Sequence, residues 1–477
     1  MARRVIAERL AIKLQLIAKK INSQSGAVLI TMVFLIGILT TAFLLQTYSA
    51  VDIKLARDKK TNLSLSQAKQ ALLAFSAEPV SSFPKVTPGT SMTCDLNCPR
   101  PGDLPCPDTD NDGEAESTCN TQSSRLGRFP WKTLGTDDLR DGSGERLWYA
   151  VSNQYKNSPR ILPLNSESNG SISLRKVQGD LVFDATLSSG LAAVLIAPNE
   201  ALIRFDNIVQ TRGAGQNNIA NNYLDIANGE DNANFVDGTT DGFLSGEVKH
   251  LGKKILNDVV LPITRDEMNA MIEPRVLGEV MQAIMYRFCQ NRANYKTRTC
   301  NIPTANDFLP DPALLTDITC LATNTSIANN GCMSNSSTFF GRLAVGGNTD
   351  ILNAGGGWES QDANSILRGV REHNWFQQNN WRELIFYAVA PACKEAVKGC
   401  TGTGFITLNN ALVIPMTNKQ VVLISAGKPL SGQSRITISD KNNLSNYLEG
   451  ENLIPIDSIF FRNIQDNNNN DRVTSIR

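Results

Sequence analysis

Apolar positions divide the chain into three regimes. From Gly26 to Leu45 the sequence runs GAVLITMVFLIGILTTAFLL without a charge, a length that spans a hydrocarbon core of about 30 Å as a helix. From Thr47 to Ala77 there is no Gly or Pro, and Val51, Ile53, Leu55, Leu63, Leu65, Ala68, Ala71, Leu72 and Phe75 suit an amphipathic helix. Together these stretches predict one rod over residues 27–77, about 75 Å long at ~1.5 Å per residue. Beyond it, short β-branched runs such as AVLIA at 193–197 and VVLIS at 421–425 are bounded by Gly, Pro and Asn, as buried strands are. The long Asn/Gly/Ser tracts between them read as loops.

The pattern then repeats. ERLWYAVS at 145–152 matches RELIFYAVA at 382–390, and AVLIAPNEAL at 193–202 matches VVLISAGKPL at 421–430. NYLD at 222–225 matches NYLE at 446–449, and NDVVLPI at 257–263 matches NDRVTSI at 470–476. Weaker matches pair QALLAF at 70–75 with QAIMYR at 282–287 and GRFPW at 127–131 with GRLAV at 341–345. Ordered matches of this kind signal an internal duplication. A boundary before Thr264 gives stretches 50–263 and 264–477 of 214 residues each. Thr264-Arg265-Asp266-Glu267 fits a capping box that starts a helix. Pro274 is expected to kink or interrupt that helix, since it lacks the amide and crowds the preceding turn, before Val276, Leu277, Val280 and Ile284 resume an apolar stripe.

The expected fold class is therefore α+β. A long N-terminal transmembrane and amphipathic helix precedes two tandem modules, each a helix followed by an antiparallel sheet, stapled by disulfides. The expected divisions are a basic leader at 1–25, a transmembrane helix at 26–47, a first module at 48–263 and a second at 264–477.

Charge adds direction. Lys plus Arg number 46, as do Asp plus Glu, so the chain lacks the basic footprint that nucleic acid attracts, and no nucleic-acid partner is expected. The leader is asymmetric, with Arg3, Arg4, Arg9, Lys13, Lys19 and Lys20 against Glu8. The positive-inside rule then leaves the N-terminus in the cytoplasm and sends the rest across the membrane. A cleaved secretory signal is the competing reading, against which stand the length of the apolar stretch and the lack of a small-x-small cleavage site.

All ten cysteines follow the apolar segment, which predicts an oxidising compartment. Their close succession suggests staples between Cys106 and Cys119, Cys289 and Cys300, Cys320 and Cys332, and Cys393 and Cys400, with Cys94 and Cys98 as a fifth pair. Spacing alone leaves that connectivity open. No CxxC occurs and His250 and His373 are the only histidines, which argues against zinc and against imidazole catalysis.

A short basic leader, the small pair Ser25-Gly26 and a hydrophobic helix running into an amphipathic one resemble the N-terminus of type IV pilins and pseudopilins. The resemblance covers about fifty residues and is closest to minor pilins whose segment reads like GAVLI here. It implies processing between Gly26 and Ala27 by a prepilin peptidase. Thr31 stands where the family's usual glutamate lies, as in minor members that cap or prime a filament. The implied protein is a non-enzymatic minor pilin-like component of a type IV filament or related secretion machine. Its implied place is the bacterial inner membrane in a single pass, with the bulk periplasmic or extracellular in a filament, and its partners are other pilins or pseudopilins and the assembly machinery. An anchored periplasmic binding module or adhesin unrelated to filaments is the alternative.

The strongest chemical motif is CPDTDNDGEAE at 106–116. Asp108, Asp110 and Asp112 occupy positions 1, 3 and 5, Gly113 position 6 and Glu116 position 9 of an oxygen-rich calcium loop, with Glu114 between. Cys119 replaces the glutamate that an EF-hand needs at position 12, and Pro105 and Pro107 forbid an entering helix, so an EF-hand is excluded. A calcium site and a solvated acidic turn both fit the pattern.

Overall fold

The structure, a computed structural model, describes residues 28–41, 50–78, 100–213, 215–289, 309, 311–321, 332–344, 376, 379–394, 396–397, 399–400, 403–410, 413–453, 457–462 and 468–476. The chain forms two compact units, residues 1–62 and 63–477.

In the first unit residues 28–41 are helical, and the large side chains from Val28 to Leu39 are exposed on every side, between 55% and 70% of their surface. Fourteen helical residues rise about 21 Å, short of a ~30 Å hydrocarbon core. The next helix, α1 (Ala50–Ser76), carries Asp52, Lys54, Arg57, Asp58, Lys59 and Lys60. No helix of the described residues is long and apolar enough to cross a membrane. This overturns the expected transmembrane helix at 26–47 and, with it, the single-pass inner-membrane placement. Hydropathy counts twenty consecutive apolar residues, whereas the described helix holds fourteen of them. The expected rod crosses residues 42–49, outside the described residues.

The second unit is dominated by short strands. In chain order these are β1 (Leu126–Arg128), β2 (Trp148–Val151), β3 (Leu174–Lys176), β4 (Leu181–Phe183), β5 (Ala193–Ala197), β6 (Ile226–Ala227), β7 (Glu230–Asp231), β8 (Phe243–Ser245), β9 (Val248–His250), β10 (Lys253–Leu256) and β11 (Val259–Ile263). After α2 (Arg265–Cys289) come β12 (Phe340–Arg342), β13 (Ile385–Val389), β14 (Ile406–Asn410), β15 (Val413–Lys419), β16 (Val421–Ser425), β17 (Ile459–Arg462) and β18 (Arg472–Ile476). The described fold is thus mostly β with few helices, which corrects the expected α+β balance and the helix-rich pilin plan. Tracts read as loops hold β3, β4 and β6 to β10, each of two to four residues, too short for alternation to register.

The strands form the same pair of sheets twice. One antiparallel sheet has the order β1-β2-β5-β11 and another the order β12-β13-β16-β18. Beside each lies a three-stranded sheet, β4-β3-β8 and β15-β14-β17. In both, the middle strand pairs antiparallel with one neighbour and parallel with the other. The sheets are therefore partly mixed where purely antiparallel ones were expected.

Alternation sorts the first large sheet into two faces. Tyr149, Val151, Ala193, Leu195, Ala197 and Ile263 join Leu65, Ala68, Leu72 and Leu73 of α1 and the stripe Met268, Ile272, Val276, Leu277, Val280 and Ile284 of α2 in one core. Trp148, Ala150, Val194, Ile196 and Val260 face Leu174, Tyr223, Phe235 and Phe243 in a second core. The first core continues into β13 and β16 of the repeat.

Thr264 and Glu267 form the expected capping box, the Glu267 N–H donating to Thr264 Oγ1 at 3.3 Å and the Thr264 N–H to Glu267 Oε2 at 3.0 Å. Pro274, however, sits inside an unbroken α2. Ile272 on one side and Val276 on the other are both buried, so tertiary packing holds the helix through a residue that would break it in isolation.

One arginine stack recurs in both halves. Arg128 lies over the rings of both Trp148 and Tyr223, at 4.3 and 3.9 Å, and Arg342 over those of Phe386 and Tyr447, at 5.2 and 5.1 Å. Disulfides join Cys106 to Cys119, Cys320 to Cys332 and Cys393 to Cys400. The expected pairs Cys94 with Cys98 and Cys289 with Cys300 involve residues outside those described.

Candidate metal centre

The acidic loop is built by three constraints. Asp108 pairs with Arg128 of β1 through two backbone hydrogen bonds, of 3.0 and 2.6 Å, which fixes the loop's entry to the sheet. The Cys106–Cys119 bridge closes a loop of 13 residues and so reduces the chain entropy lost on ordering it. Arg146 donates to the Asn111 carbonyl at 3.0 Å and to Asn111 Oδ1 at 2.9 Å, while Asp138 holds that arginine at 2.9 Å.

Within this frame Gly113 has φ +93°, in the left-handed region that glycine adopts at least cost. A Cβ there would lie 2.5 Å from Trp131 Nε1. The turn aims the Gly113 N–H at Asp108 Oδ2, 2.8 Å away, and the Asn111 N–H at Oδ1, 2.5 Å away. Glu116 returns to the same place, its Oε1 accepting from the Thr109 N–H at 3.1 Å and from Thr109 Oγ1 at 2.6 Å.

Asp108, Asp110 and Glu116 consequently present carboxylate oxygens within 4.8 Å of one another. The remaining two sequence candidates do not join them. Asp112 turns outward and its Oδ1 accepts the Glu114 N–H at 2.7 Å, and both side chains are exposed. Asp108 is buried. Burial pushes its carboxyl up, the Gly113 and Asn111 N–H groups pull it down, and the Asp112 and Asp110 charges push it up again. The donor set is oxygen alone, which suits a hard cation rather than a transition metal. Three carboxylates leave room for waters in a shell of six to eight ligands.

Other sequence candidates lie elsewhere. His250 is exposed and meets the Phe205 ring edge-on at 5.5 Å. Trp148 and Trp381 are fully buried core residues. Gly26 and Ala27 lie outside the described residues. A further repeat went unread in the sequence: LPCPD at 104–108 corresponds to LPDPA at 309–313. Leu104 bridges Lys156 as Leu309 bridges Lys394, and Asp108 pairs with Arg128 as Ala313 pairs with Arg342. Ala313 in place of Asp108 means that the acidic loop belongs to the first module only. No protein family, curated protein or solved structure matches this chain.

Proposed function

We propose that this chain is a non-enzymatic subunit of a pilin-like or pseudopilin-like filament or related secretion assembly, with a first module stabilised by calcium. The observation that carries the assembly reading is the helix at 28–41, which exposes Val28, Leu29, Ile30, Met32, Val33, Phe34, Leu35, Ile36, Ile38 and Leu39 together. A helix apolar all round requires an apolar partner, and the helices of neighbouring subunits supply one. The leader ending in Ser25-Gly26 supports the same reading. Among the described residues one cavity, of about 410 Å³, lies beside the start of α2. Its charges pair with one another, Lys428 with Asp266 at 2.5 Å and Arg472 with Glu273 at 3.1 Å, which leaves little for chemistry on a substrate.

Processing tests the assembly. In cells that contain a prepilin peptidase, mass spectrometry of the purified protein should show a chain beginning at Ala27. A chain that keeps Met1 overturns the filament reading and leaves a binding module or adhesin unrelated to filaments.

Calcium tests the loop. At roughly 100 times its Kd the ion stabilises the folded state by about 2.7 kcal/mol, so calorimetry of the full chain should show a transition roughly 2–4 °C higher than with chelator. Asp110→Ala should abolish the difference, and magnesium should give a smaller one because it demands octahedral geometry and releases water reluctantly. Because the Asp108 carboxyl is raised, protons compete with the ion and the calcium effect should fade as pH falls. Equal transitions with calcium and chelator would reduce the loop to an acidic turn.

A further inference from the structure

The two halves keep one buried polar knot in duplicate. In the first, Asp225 Oδ2 accepts the Asn257 N–H at 2.7 Å and Oδ1 accepts Gln210 Nε2 at 2.8 Å. Asp258 Oδ2 accepts the Asp225 N–H and Asn232 Nδ2, both at 2.8 Å. In the second, Glu449 Oε2 accepts the N–H groups of Asn470 and Asp471, at 3.1 and 3.3 Å, and Oε1 accepts Gln433 Nε2 at 2.9 Å. Asp471 Oδ2 accepts the Glu449 N–H and Asn452 Nδ2, both at 3.0 Å.

Each acid therefore grips the backbone of the segment that carries the other. The clasp ties Asn222-Tyr223-Leu224 to the start of β11, and Asn446-Tyr447-Leu448 to the start of β18. The asparagines extend it into the smaller sheets, Asn232 exchanging two hydrogen bonds with Leu244 of β8 and Asn452 two with Phe461 of β17.

One oxygen is left over at the same place in both copies. Asp258 is 0% exposed and Asp471 1%, and the Oδ1 of each meets no donor among the described residues. Two adjacent carboxylates, one with an unsatisfied buried oxygen, are a costly arrangement. A single proton resolves it, because a neutral carboxyl becomes a donor and the like-charge repulsion disappears.

We propose that each half is closed by a carboxyl pair holding one shared proton, carried by Asp258 in the first and by Asp471 in the second, so that the knot is an acid-set latch on the last strand.

The facing charges are engaged elsewhere. Arg204 pairs with Asp206 and Asp231, and Arg212 with Glu145 at 3.6 Å. In the second half Arg435 pairs with Glu167 and Arg472 with Glu273, leaving Glu449 as the charge that bears on Asp471. Burial first, and then the neighbouring carboxylate, hold Asp258 and Asp471 well above the usual carboxyl range. Burial also pushes Asp225 up to about 6. The folded state thus keeps protons that the unfolded chain loses near pH 4. The latch contributes fully below that range, and its contribution is lost as pH rises towards the folded values.

The test counts protons released when the full chain is unfolded with urea in weak buffer near neutral pH. Asp108, Asp241 and Glu279 are also raised, so the contrast between parent and variants isolates the knot. Asp258→Asn and Asp471→Asn should each lower the count by about one proton and flatten the fall in Tm towards alkaline pH, since the amide places a donor where the proton sits. Variants that release as many protons as the parent, with the same pH slope, overturn the latch. Should one variant fail to fold, the infrared carbonyl band of protonated carboxyls at neutral pD, compared between the parent and the variant that folds, decides instead: loss of intensity in the variant supports the shared proton and an unchanged band overturns it.

Discussion

Arg128→Ala is expected to destabilise the folded chain by about 3–5 kcal/mol, read as a lower midpoint of urea unfolding at unchanged slope. Arg128 is 3% exposed, and its guanidinium donates to the Asn217 carbonyl at 2.8 Å and to the Arg146 carbonyl at 3.0 Å. Truncation removes the donor from both part-buried carbonyls, at about 0.5–1.5 kcal/mol each. It also removes a cation that lies over two rings, where a desolvated contact contributes about 2 kcal/mol. Relief of the arginine's own burial, which lowers its pKa to about 10, offsets part of this. Arg128→Lys should recover little, because an ammonium cannot stack flat or reach both carbonyls. Arg342→Ala should behave similarly, since Arg342 bridges the Glu383 and Lys441 carbonyls at 2.8 and 2.6 Å. A midpoint for Arg128→Ala within error of the parent would show that the stack is incidental to stability.

The arginine stack also shows what a sequence can and cannot reveal. The duplicated words WYAV and IFYAV, AVLIA and VVLIS, VVLPI and RVTSI fall on β2 and β13, β5 and β16, β11 and β18; β2, β5, β13 and β16 are interior strands buried on both faces, which tolerate few residue types, whereas β11 and β18 are half-buried edge strands. NYLD and NYLE carry the ring of the arginine stack and the acid of the knot, Tyr223 with Asp225 and Tyr447 with Glu449. Arg128 and Arg342 were visible inside GRFPW and GRLAV, but nothing local separates a buried arginine from a solvated one.

The small sheets of the first half were not legible, since strands of two to four residues inside Asn/Gly-rich tracts carry no period. Pro274 misled because intrinsic helix preference gave way to packing on both sides of it. In the acidic loop, alternation alone makes Asp108, Asp110 and Asp112 equivalent. The turn at Gly113 separates them, sending Asp112 outward onto the Glu114 N–H and bringing in Glu116. That choice depends on the Cys106–Cys119 closure and on the Arg146 clamp, which lies 35 residues away in sequence.

Gly341→Ala is expected to be among the most damaging single-methyl changes, at about 3–5 kcal/mol. Gly341 is in β12, and a Cβ there would sit 1.9 Å from the Ala313 carbonyl oxygen. The obstacle is backbone, so no rotamer change relieves it, and the 312–313 segment must move off the strand. That movement breaks the hydrogen bonds between Ala313 and Arg342, of 2.9 and 3.0 Å. It also opens the small core of Ala313, Ala344 and the Cys320–Cys332 bridge. Gly127→Ala probes the matching position of the first half, where the nearest atom, the Asp108 carbonyl oxygen, is 2.6 Å away. The cost should be smaller, about 1–3 kcal/mol. Its signature should be a weaker calcium effect on Tm, because the displaced residue is the buried ligand of the acidic triad. Gly278→Ala is the control: it lies within α2 with nothing inside 4 Å of its Cβ position, and should stabilise by roughly 0.5–1 kcal/mol through helix preference. If Gly341→Ala unfolds at the parent's midpoint while Gly278→Ala shows its gain, the close approach of β12 to residue 313 is not a feature of the folded protein.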